Sequence, residues 1–387
     1  MDYNRTMKIK ISQESLAKTL SIVGRSVSPK PSLPVLSNIL LATENGQLKL
    51  SATNLEMGIN FWLPAEIVKE GAITVPARVL TEFVSSLPKQ TVELVLKDQI
   101  LHLSCGSFEA NINGIASSEF PSLPKVSGEP TLKIPAKVFA KALTSVCFAA
   151  APDEGRPVLT GVLTDLREEG ILLVATDGYR LSKKLVKVTK KEKVFKGRLK
   201  LIVPARTFLE VSRIVAEVGI EEEKDLKVVV VKEQNQIIFI FDKIEVSSKL
   251  IEGNFPDFNK VIPTEFKTKV EVETEELNHA VRVASIFARD SANIIKVLLD
   301  PEAGIILSAN TKEVGDNVSK VEARVSGEKT EVAFNSRYVL DFLASVDAER
   351  LCLEFSGSLS PGVFRPLLKK GIDETFLHLI MPVRVQG

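Results

Sequence analysis

Three arginines recur about a third of the chain apart in this 387-residue sequence: Arg78, Arg206 and Arg337. Each is followed, four positions later, by an acidic residue: Glu82, Glu210 and Asp341. A guanidinium group offers several N–H donors to a phosphate or a carboxylate. A single helical charge is usually only a solvated surface group. Recurrence at equivalent positions instead indicates a shared electrostatic purpose, namely the binding of an anionic partner.

No catalytic constellation accompanies these arginines. The sequence has no P-loop, no Rossmann fingerprint and no GxSxG motif. Asp177-Gly178 at a strand end is typical of a turn, and Asp153-Glu154 is an adjacent pair that would not converge on one substrate. The histidines and cysteines are scattered, which predicts no metal site: His102, His279, His378, Cys105, Cys147 and Cys352. We interpret the cysteines as buried residues in a reducing cytoplasm.

The arginines lie within a motif that the sequence contains three times, at Val75–Phe83, Val203–Val211 and Phe334–Phe342. Apolar residues follow each arginine at two, five and nine positions: Leu80, Phe83 and Leu87, then Phe208, Val211 and Val215, then Val339, Phe342 and Val346. At 100° per residue these positions share one side of a helix. The motif therefore predicts a helix with an apolar core face and with the arginine and the acid opposite.

Each third of the chain also begins with a short strand and a helix. The helices have apolar residues at i, i+4 and i+7: Leu16, Leu20 and Val23, then Phe139, Leu143 and Val146, then Leu277, Val281 and Ala284. This spacing predicts one buried face, with Lys18, Lys141 and His279 on the opposite face. Each unit thus has two helices, and basic residues recur on their outward faces.

Strand pairs complete each unit. Asn45-Gly46 between two apolar runs is a strong signal for a type I′ hairpin turn. Proline-rich segments, at residues 119–124 and 255–263, close the first two units. We therefore predict an α+β protein of three repeated domains, residues 1–128, 129–264 and 265–387, each with two helices packed on one face of a mostly antiparallel sheet.

The composition, 44% hydrophobic and 26% charged, is that of an ordinary globular protein, and no apolar run is long enough for a membrane span. No secretory leader is recognisable, so we predict a cytoplasmic protein without membrane association. A formal net charge of +1 excludes a uniformly basic nucleic-acid binder but allows a locally basic surface. The basic run at 183–200 alternates with apolar residues, so we interpret it as strands with a basic exposed side.

Several short motifs, in this order, resemble the bacterial replicative sliding clamp family, the DNA polymerase III beta subunit. They are Leu33–Leu40, Ala52–Gly58, Thr74–Arg78, Glu119–Pro121, Val174–Leu181, Ile251–Asp257 and Met381–Arg384. The resemblance covers the chain from Met7 onwards. Residues 1–6 form an extension of unknown role.

The resemblance implies the DNA clamp fold, in which two chains form a head-to-tail homodimer and close a ring of six domains. It implies that the helices line the central hole and contact double-stranded DNA through its phosphates, independently of sequence. It implies a non-catalytic processivity factor without cofactors. It implies DNA-contacting positions at Lys30 and Arg156, and together with the repeated arginines Arg78 and Arg206 these are the residues predicted to bind DNA.

The resemblance also implies a hydrophobic pocket for a short linear motif, carried by the DNA polymerase III catalytic subunit, the clamp loader and other clamp-binding proteins. Lys260 stands where an arginine is common in the family, which affects any stacking or bidentate role there. The pocket residues are Leu159, Thr176, Gly178, Tyr179, Arg180, Leu181, Pro256, Lys260, Val261, Leu359, Pro361, Leu379, Ile380, Met381, Pro382 and Arg384.

Two other interpretations of the sequence remain open at this point. One is an enzyme that processes nucleic acid and uses the basic helices as a substrate groove. Catalytic motifs would favour it, and the sequence contains none. The other is a monomeric scaffold that uses the pocket alone, which the mass in solution would distinguish from a ring.

Overall fold

A computed structural model describes residues 6–28, 31–124, 126, 129–153, 155–167, 169–188, 197–219, 224–311 and 315–384. Lys30 and most of the extension at residues 1–6 lie outside the described residues. The described chain forms two compact units. Residues of 6–136 and 214–250 build the first unit, and residues of 137–188, 197–213 and 251–384 build the second unit.

The described residues contain six α-helices, two in each third of the chain, as the repeats predict. They are α1 Gln13–Val23, α2 Ala77–Ser86, α3 Ala136–Cys147, α4 Ala205–Val218, α5 Thr274–Ala288 and α6 Ser336–Ser345. No described helix has both the length and the apolar character needed to cross a bilayer.

The strands of the first half of the chain are β1 Thr6–Ser12, β2 Asn38–Glu44, β3 Gln47–Thr53, β4 Met57–Pro64, β5 Glu66–Lys69, β6 Ala72–Pro76, β7 Thr91–Lys97, β8 Ile100–Cys105, β9 Phe108–Asn113, β10 Leu132–Pro135, β11 Gly161–Arg167, β12 Gly170–Thr176 and β13 Arg180–Lys187. Those of the second half are β14 Leu199–Pro204, β15 Asp225–Val231, β16 Gln236–Phe241, β17 Ile244–Lys249, β18 Thr268–Glu273, β19 Ile294–Asp300, β20 Gly304–Thr311, β21 Gly315–Val321, β22 Ala323–Gly327, β23 Thr330–Asn335, β24 Arg350–Phe355, β25 Gly362–Leu368, β26 Gly371–Ile372 and β27 Phe376–Ile380.

The first unit has two sheets, of five strands in the order β5-β1-β7-β8-β9 and of eight in the order β10-β15-β16-β17-β4-β3-β2-β6. The second unit has a sheet of four strands, β21-β20-β19-β23, and a larger one in the order β14-β11-β12-β13-β27-β25-β24-β18-β22, with β26 on β25. The strand pairs are antiparallel, as predicted. The predicted Asn45-Gly46 turn is also present, and both of its residues have positive φ, 51° and 72°.

The larger sheets join strands from neighbouring repeats, which the sequence did not indicate. In the first unit, β4 of the first repeat pairs with β17 of the second repeat, with Gly58 opposite Ser247. A Cβ atom at Gly58 would lie 2.9 Å from Ser247 Oγ and 2.6 Å from Leu123 Cδ2, so a larger residue there would require these two side chains to move. Strand pairing rather than a loose linker therefore connects the two repeats.

The helices bury the apolar faces that their periodicity predicts. In α1, Leu16, Leu20 and Val23 are fully buried, whereas Lys18 is exposed. Three details of the prediction are wrong. Val346 is only half-buried and follows the end of α6. Phe83 is only half-buried, because the buried position of that turn of α2 belongs to Val84. Glu210 was expected opposite the core face of α4, yet it is buried, and its carboxylate lies 3.5 Å from Arg213 Nη1.

The three cysteines are free and buried, which confirms their interpretation as core residues. Burial raises the pKa of the Cys352 thiol to about 12, so this thiol stays protonated at neutral pH and is a poor nucleophile. Cys352 therefore contributes packing rather than reactivity.

Candidate functional site

A tight turn at residues 176–180 starts the candidate pocket in the second unit. Gly178 has a φ of 93°, a conformation that favours glycine. The Thr176 hydroxyl donates to the Arg180 carbonyl at 2.6 Å and accepts from the Gly178 N–H at 3.0 Å. Asp177 Oδ1 accepts from the Tyr179 N–H at 2.8 Å. These bonds satisfy the backbone of the turn internally and leave the Tyr179 ring projecting, with 61% of the residue exposed.

The turn leads into β13, which pairs with β27 near the C-terminus. Arg180 lies opposite Ile380, and Leu181 lies opposite Leu379. The Met381 N–H then donates to the Tyr179 carbonyl at 2.8 Å. The structure therefore brings two distant parts of the predicted pocket into direct contact. Leu379 and Ile380 are core residues of a central strand, whereas Met381 and Pro382 are half-buried and Arg384 is exposed.

Beneath this contact lies an apolar cluster on one face of the largest sheet. Met381 and part of the connector between the second and third repeats pack against it. Its buried members are Leu163, Leu172, Val174, Leu181, Phe258, Val363, Leu377 and Leu379. Apolar side chains with partly exposed neighbours are the composition expected of a peptide-binding surface.

The remaining predicted pocket residues differ in exposure. Leu159 is buried, and Pro256 of the connector is exposed. Val261 and Leu359 are large exposed hydrophobic residues, at 44% and 66%. Pro361 directly precedes β25, whose first residue lies opposite Ile380, so it lies near the C-terminal segment.

Lys260 occupies an exposed position on the connector. Its ammonium group lies 3.7 Å from the Asp257 carboxylate in the same turn, with 81% of the lysine side chain exposed. A partly neutralised ammonium group is a point charge and cannot supply the planar stacking of a guanidinium.

Arg180 is the charged centre of the site. Its side chain is only 10% exposed; Nε donates to Asp177 Oδ2 at 3.0 Å, and Nη1 donates to Asp341 Oδ2 on α6 at 2.5 Å. The guanidinium also lies over the ring of Tyr338, 4.7 Å from its centroid. Tyr179 stacks on Tyr338 with their centroids 6.5 Å apart. The two carboxylates and the aromatic face around this buried cation fix the orientation of the Arg180 side chain.

Sequence reasoning missed Tyr338 and Asp341 as site residues. Both belong to the third copy of the repeated motif, so their helix was predicted, but only the acid was noted. Burial, and then the nearby charge of Asp177, raises the pKa of Tyr338 against the opposing effect of the Arg180 charge, so its hydroxyl stays protonated and can donate a hydrogen bond at neutral pH. The sequence did contain one signal for Tyr338, since it is an aromatic residue directly after the repeated Arg337.

Arg156 had been expected to contact DNA. The structure places its guanidinium beside the turn, where Nη2 donates to the Asp177 carbonyl at 2.9 Å. A Cβ atom at Gly178 would lie 3.2 Å from Arg156 Nη1. Arg156 thus lies against the turn of the candidate pocket, and its contact with DNA stays a prediction.

The second candidate surface is the outward side of the helices. Arg78, Arg206 and Arg337 are exposed, as predicted. Arg78 pairs with Glu82 at 2.8 Å. The basic helix residues are Lys18, Arg78, Lys137, Lys141, Arg206, Arg213, Arg282 and Arg337. The acidic ones are nearly as numerous: Glu14, Glu82, Glu210, Glu217, Glu275, Glu276 and Asp341. The helices therefore carry nearly as many acidic as basic residues, although Glu210 among the acidic ones is buried.

Among the described residues, no group of three or more His, Cys, Asp or Glu side chains is arranged to hold a metal ion. The candidate functional features of the described chain are thus the apolar residues around the buried Arg180 guanidinium and a set of exposed helical arginines.

Comparison with known proteins identifies the chain. The three family models of the DNA polymerase III beta subunit match in tandem: the N-terminal domain at residues 7–124, the central domain at 133–257 and the C-terminal domain at 259–384. Three such domains define a sliding clamp. The chain belongs to the DNA polymerase III beta subunit family.

Relatives and solved structures agree with this assignment over the full chain. The beta sliding clamp of Synechococcus elongatus is 32% identical over 98% of this chain and 100% of the relative. That of Bacillus subtilis is 28% identical over 98% and 100%. The crystal structure of the Bacillus subtilis DNA polymerase sliding clamp has a TM-score of 0.89 at 27% identity, covering 98% of this chain and 100% of that chain. A Pseudomonas aeruginosa sliding clamp bound to griselimycin has a TM-score of 0.88 at 26% identity over 98% and 100%.

Proposed function

We propose that two copies of this chain form a head-to-tail ring that encircles double-stranded DNA, and that the ring acts in the cytoplasm as a non-catalytic processivity factor. The observation that carries this proposal is the presence of three clamp domains in one chain. Three domains cannot surround a duplex, whereas six domains related by twofold symmetry can.

Two exposed strand edges support the closure of the ring. β9 is an edge of the five-stranded sheet, and Phe108 on it is 52% exposed. β21 is an edge of the four-stranded sheet, and Val318 on it is 61% exposed. An open strand edge with a large exposed hydrophobic residue is a natural pairing surface. We propose that β9 of one protomer pairs with β21 of its partner.

The helices would face the DNA in this ring. Arg78, Arg206 and Arg337 would contact phosphates, with Lys30 and Arg156 as the further expected positions. Because the helices carry almost as many acids as bases, these contacts would be weak and independent of sequence. Weak phosphate contact favours sliding over fixed binding, so retention on DNA would come from the closed ring.

The pocket would bind a short linear motif on the DNA polymerase III catalytic subunit, the clamp loader and other clamp-binding proteins. Exposed Tyr179, Val261 and Leu359, together with half-buried Met381, would give such a peptide an apolar surface. Arg180 and the backbone of the 176–180 turn would supply polar anchors. A small apolar pocket with few anchors is sufficient for a linear motif.

Loading the protein onto nicked circular plasmid tests the ring. Phosphate contacts are screened in high salt, so a topologically linked ring should stay bound through a high-salt wash and should dissociate when the plasmid is linearised. The matched control is the same plasmid linearised before loading, which should retain little protein. Equal salt-resistant retention on both plasmids would mean direct binding and would contradict the proposal.

A further inference from the structure

The repeated Arg–acid pair is used differently in the first and third copies of the motif. In α2, Arg78 Nε donates to Glu82 Oε1 at 2.8 Å, an ordinary i,i+4 ion pair. In α6, the equivalent acid Asp341 instead accepts from Arg180 of β13. Arg337 forms no ion pair with another residue of the described chain, although Asp341 lies one helical turn away. One carboxylate therefore has two cations within reach.

Arg180 is positioned to release Asp341 without losing its own place. Its Nε remains bonded to Asp177 Oδ2 at 3.0 Å, and its guanidinium rests on the Tyr338 ring. Only Nη1 reaches Asp341, whose side chain is 50% exposed. A guanidinium has five N–H donors, so another acceptor in the pocket can take over Nη1 while the bond to Asp177 persists.

We propose that Asp341 is shared by two competing cations, Arg180 in the pocket and Arg337 on α6, and that this competition couples peptide binding to DNA contact. This inference rests on the proposed function, since it takes the pocket as the peptide site and Arg337 as a phosphate contact. In the state described here Asp341 is held by Arg180, so Arg337 is free for a phosphate.

Peptide binding shifts this balance. A carbonyl or carboxylate of the bound segment accepts from Arg180 Nη1, and the released Asp341 pairs with Arg337 in the geometry already seen for Arg78 and Glu82. The phosphate contact of Arg337 is then weakened. Because coupling between two binding sites is reciprocal, DNA lowers peptide affinity by the same factor. A ring holding a partner thereby contacts its DNA less tightly.

The experiment measures the affinity of a labelled peptide carrying the clamp-binding motif of the polymerase, by fluorescence anisotropy, with and without a saturating short linear duplex at low salt. DNA is expected to weaken peptide binding about two- to fivefold, the range of one exposed ion pair. The salt dependence of DNA binding is measured in parallel, and saturating peptide should lower its slope by about one.

Two variants and a matched control isolate the pair. Arg337→Ala and Asp341→Asn should each abolish the effect of DNA on peptide affinity. Arg78→Ala removes the equivalent arginine of the first repeat, whose partner is Glu82, and should leave the effect intact. If the wild-type protein shows no coupling, or if Arg337→Ala retains it in full, the proposal is wrong.

The peptide-binding measurement on the wild-type protein also distinguishes a failure of this proposal from a failure of the proposed function on which it rests. A wild-type protein that binds the peptide with equal affinity in the presence and absence of DNA keeps its pocket and lacks the coupling. A wild-type protein that does not bind the peptide at all would instead contradict the assignment of the pocket.

Discussion

The Met381 N–H donates to the Tyr179 carbonyl at 2.8 Å, and this bond connects the C-terminal segment to the turn that precedes β13. It continues the register in which β13 pairs with β27. Met381 is thus held by its backbone while its side chain packs beside the apolar cluster under the pocket. An adaptable thioether side chain in that position suits a surface that binds different peptides.

Met381→Ala should weaken peptide binding while leaving the fold intact. A half-buried side chain at the pocket edge contributes more to ligand contact than to the core, so we expect a loss of about 1–2 kcal/mol, roughly 5–30-fold in affinity. Fluorescence anisotropy with a polymerase-derived peptide measures the loss, and the thermal midpoint should stay unchanged.

Leu379→Ala is the matched control, because Leu379 lies two residues earlier and is 1% exposed within β27. Truncating it should lower the free energy of unfolding by about 2–5 kcal/mol. Unchanged peptide binding by Met381→Ala, together with a lowered midpoint, would show that Met381 is a core residue and would remove it from the pocket.

Arg180→Ala should destabilise the second unit. The change leaves Asp177, which is 7% exposed, without its cationic partner, and removal of one member of a buried pair costs about 3 kcal/mol. Urea denaturation measures this loss. Arg78→Ala removes an arginine whose side chain is 88% exposed and should leave the urea midpoint almost unchanged. Equal effects of the two substitutions would contradict the structural role of Arg180.

Local pattern was sufficient to predict the elements of this fold. Apolar spacing in the sequence predicted the helices, and Asn45-Gly46 predicted its hairpin turn because only a few residue types adopt positive φ readily. The pairing of strands from different repeats was not predictable from local pattern. Nothing in β4 alone specifies β17 as its neighbour, because pairing of strands far apart in sequence depends on tertiary packing.

In the candidate site too, local features were predictable from the sequence and long-range contacts were not. The turn at Gly178 and its approach to the C-terminal segment followed from short motifs. The partner of Arg180 did not, since Asp341 lies 161 residues away on a helix whose polar face was expected to contact an anionic partner. Helical periodicity gives the direction of a side chain, but it does not identify a distant charge that neutralises it.

His378 should make folding sensitive to mild acid. It is fully buried; its Nδ1 lies 2.7 Å from the Ser182 hydroxyl, and its ring stacks on Phe342 at 4.9 Å. Burial, and then the nearby charge of Arg180, lowers the pKa of His378 well below its usual value. In the unfolded chain a histidine has a pKa of about 6.5, so below this pH the unfolded state binds a proton that the folded state excludes.

Stability should therefore fall as the pH drops below about 6.5, by up to roughly 1.4 kcal/mol per pH unit from this residue. Urea denaturation at a series of pH values from 7.5 to about 5.5 measures the slope. The double variant His378→Leu, Ser182→Ala, which removes both members of the hydrogen bond, should flatten it. His279→Gln, at an exposed position on α5, should not. An unchanged slope in the double variant would assign the acid sensitivity to other groups.

Phe108→Asp should disrupt the proposed dimer. A carboxylate on the β9 edge would have to be desolvated when a second chain pairs there, which opposes association. Light scattering at micromolar concentration should give about twice 42.4 kDa for the unaltered protein and a value near 42.4 kDa for the variant.

Val68→Asp is the matched control, because Val68 is 55% exposed on β5, the opposite edge of the same sheet. A monomer caused by Val68→Asp but not by Phe108→Asp would place the interface at the other edge, and a monomeric unaltered protein would contradict the ring itself.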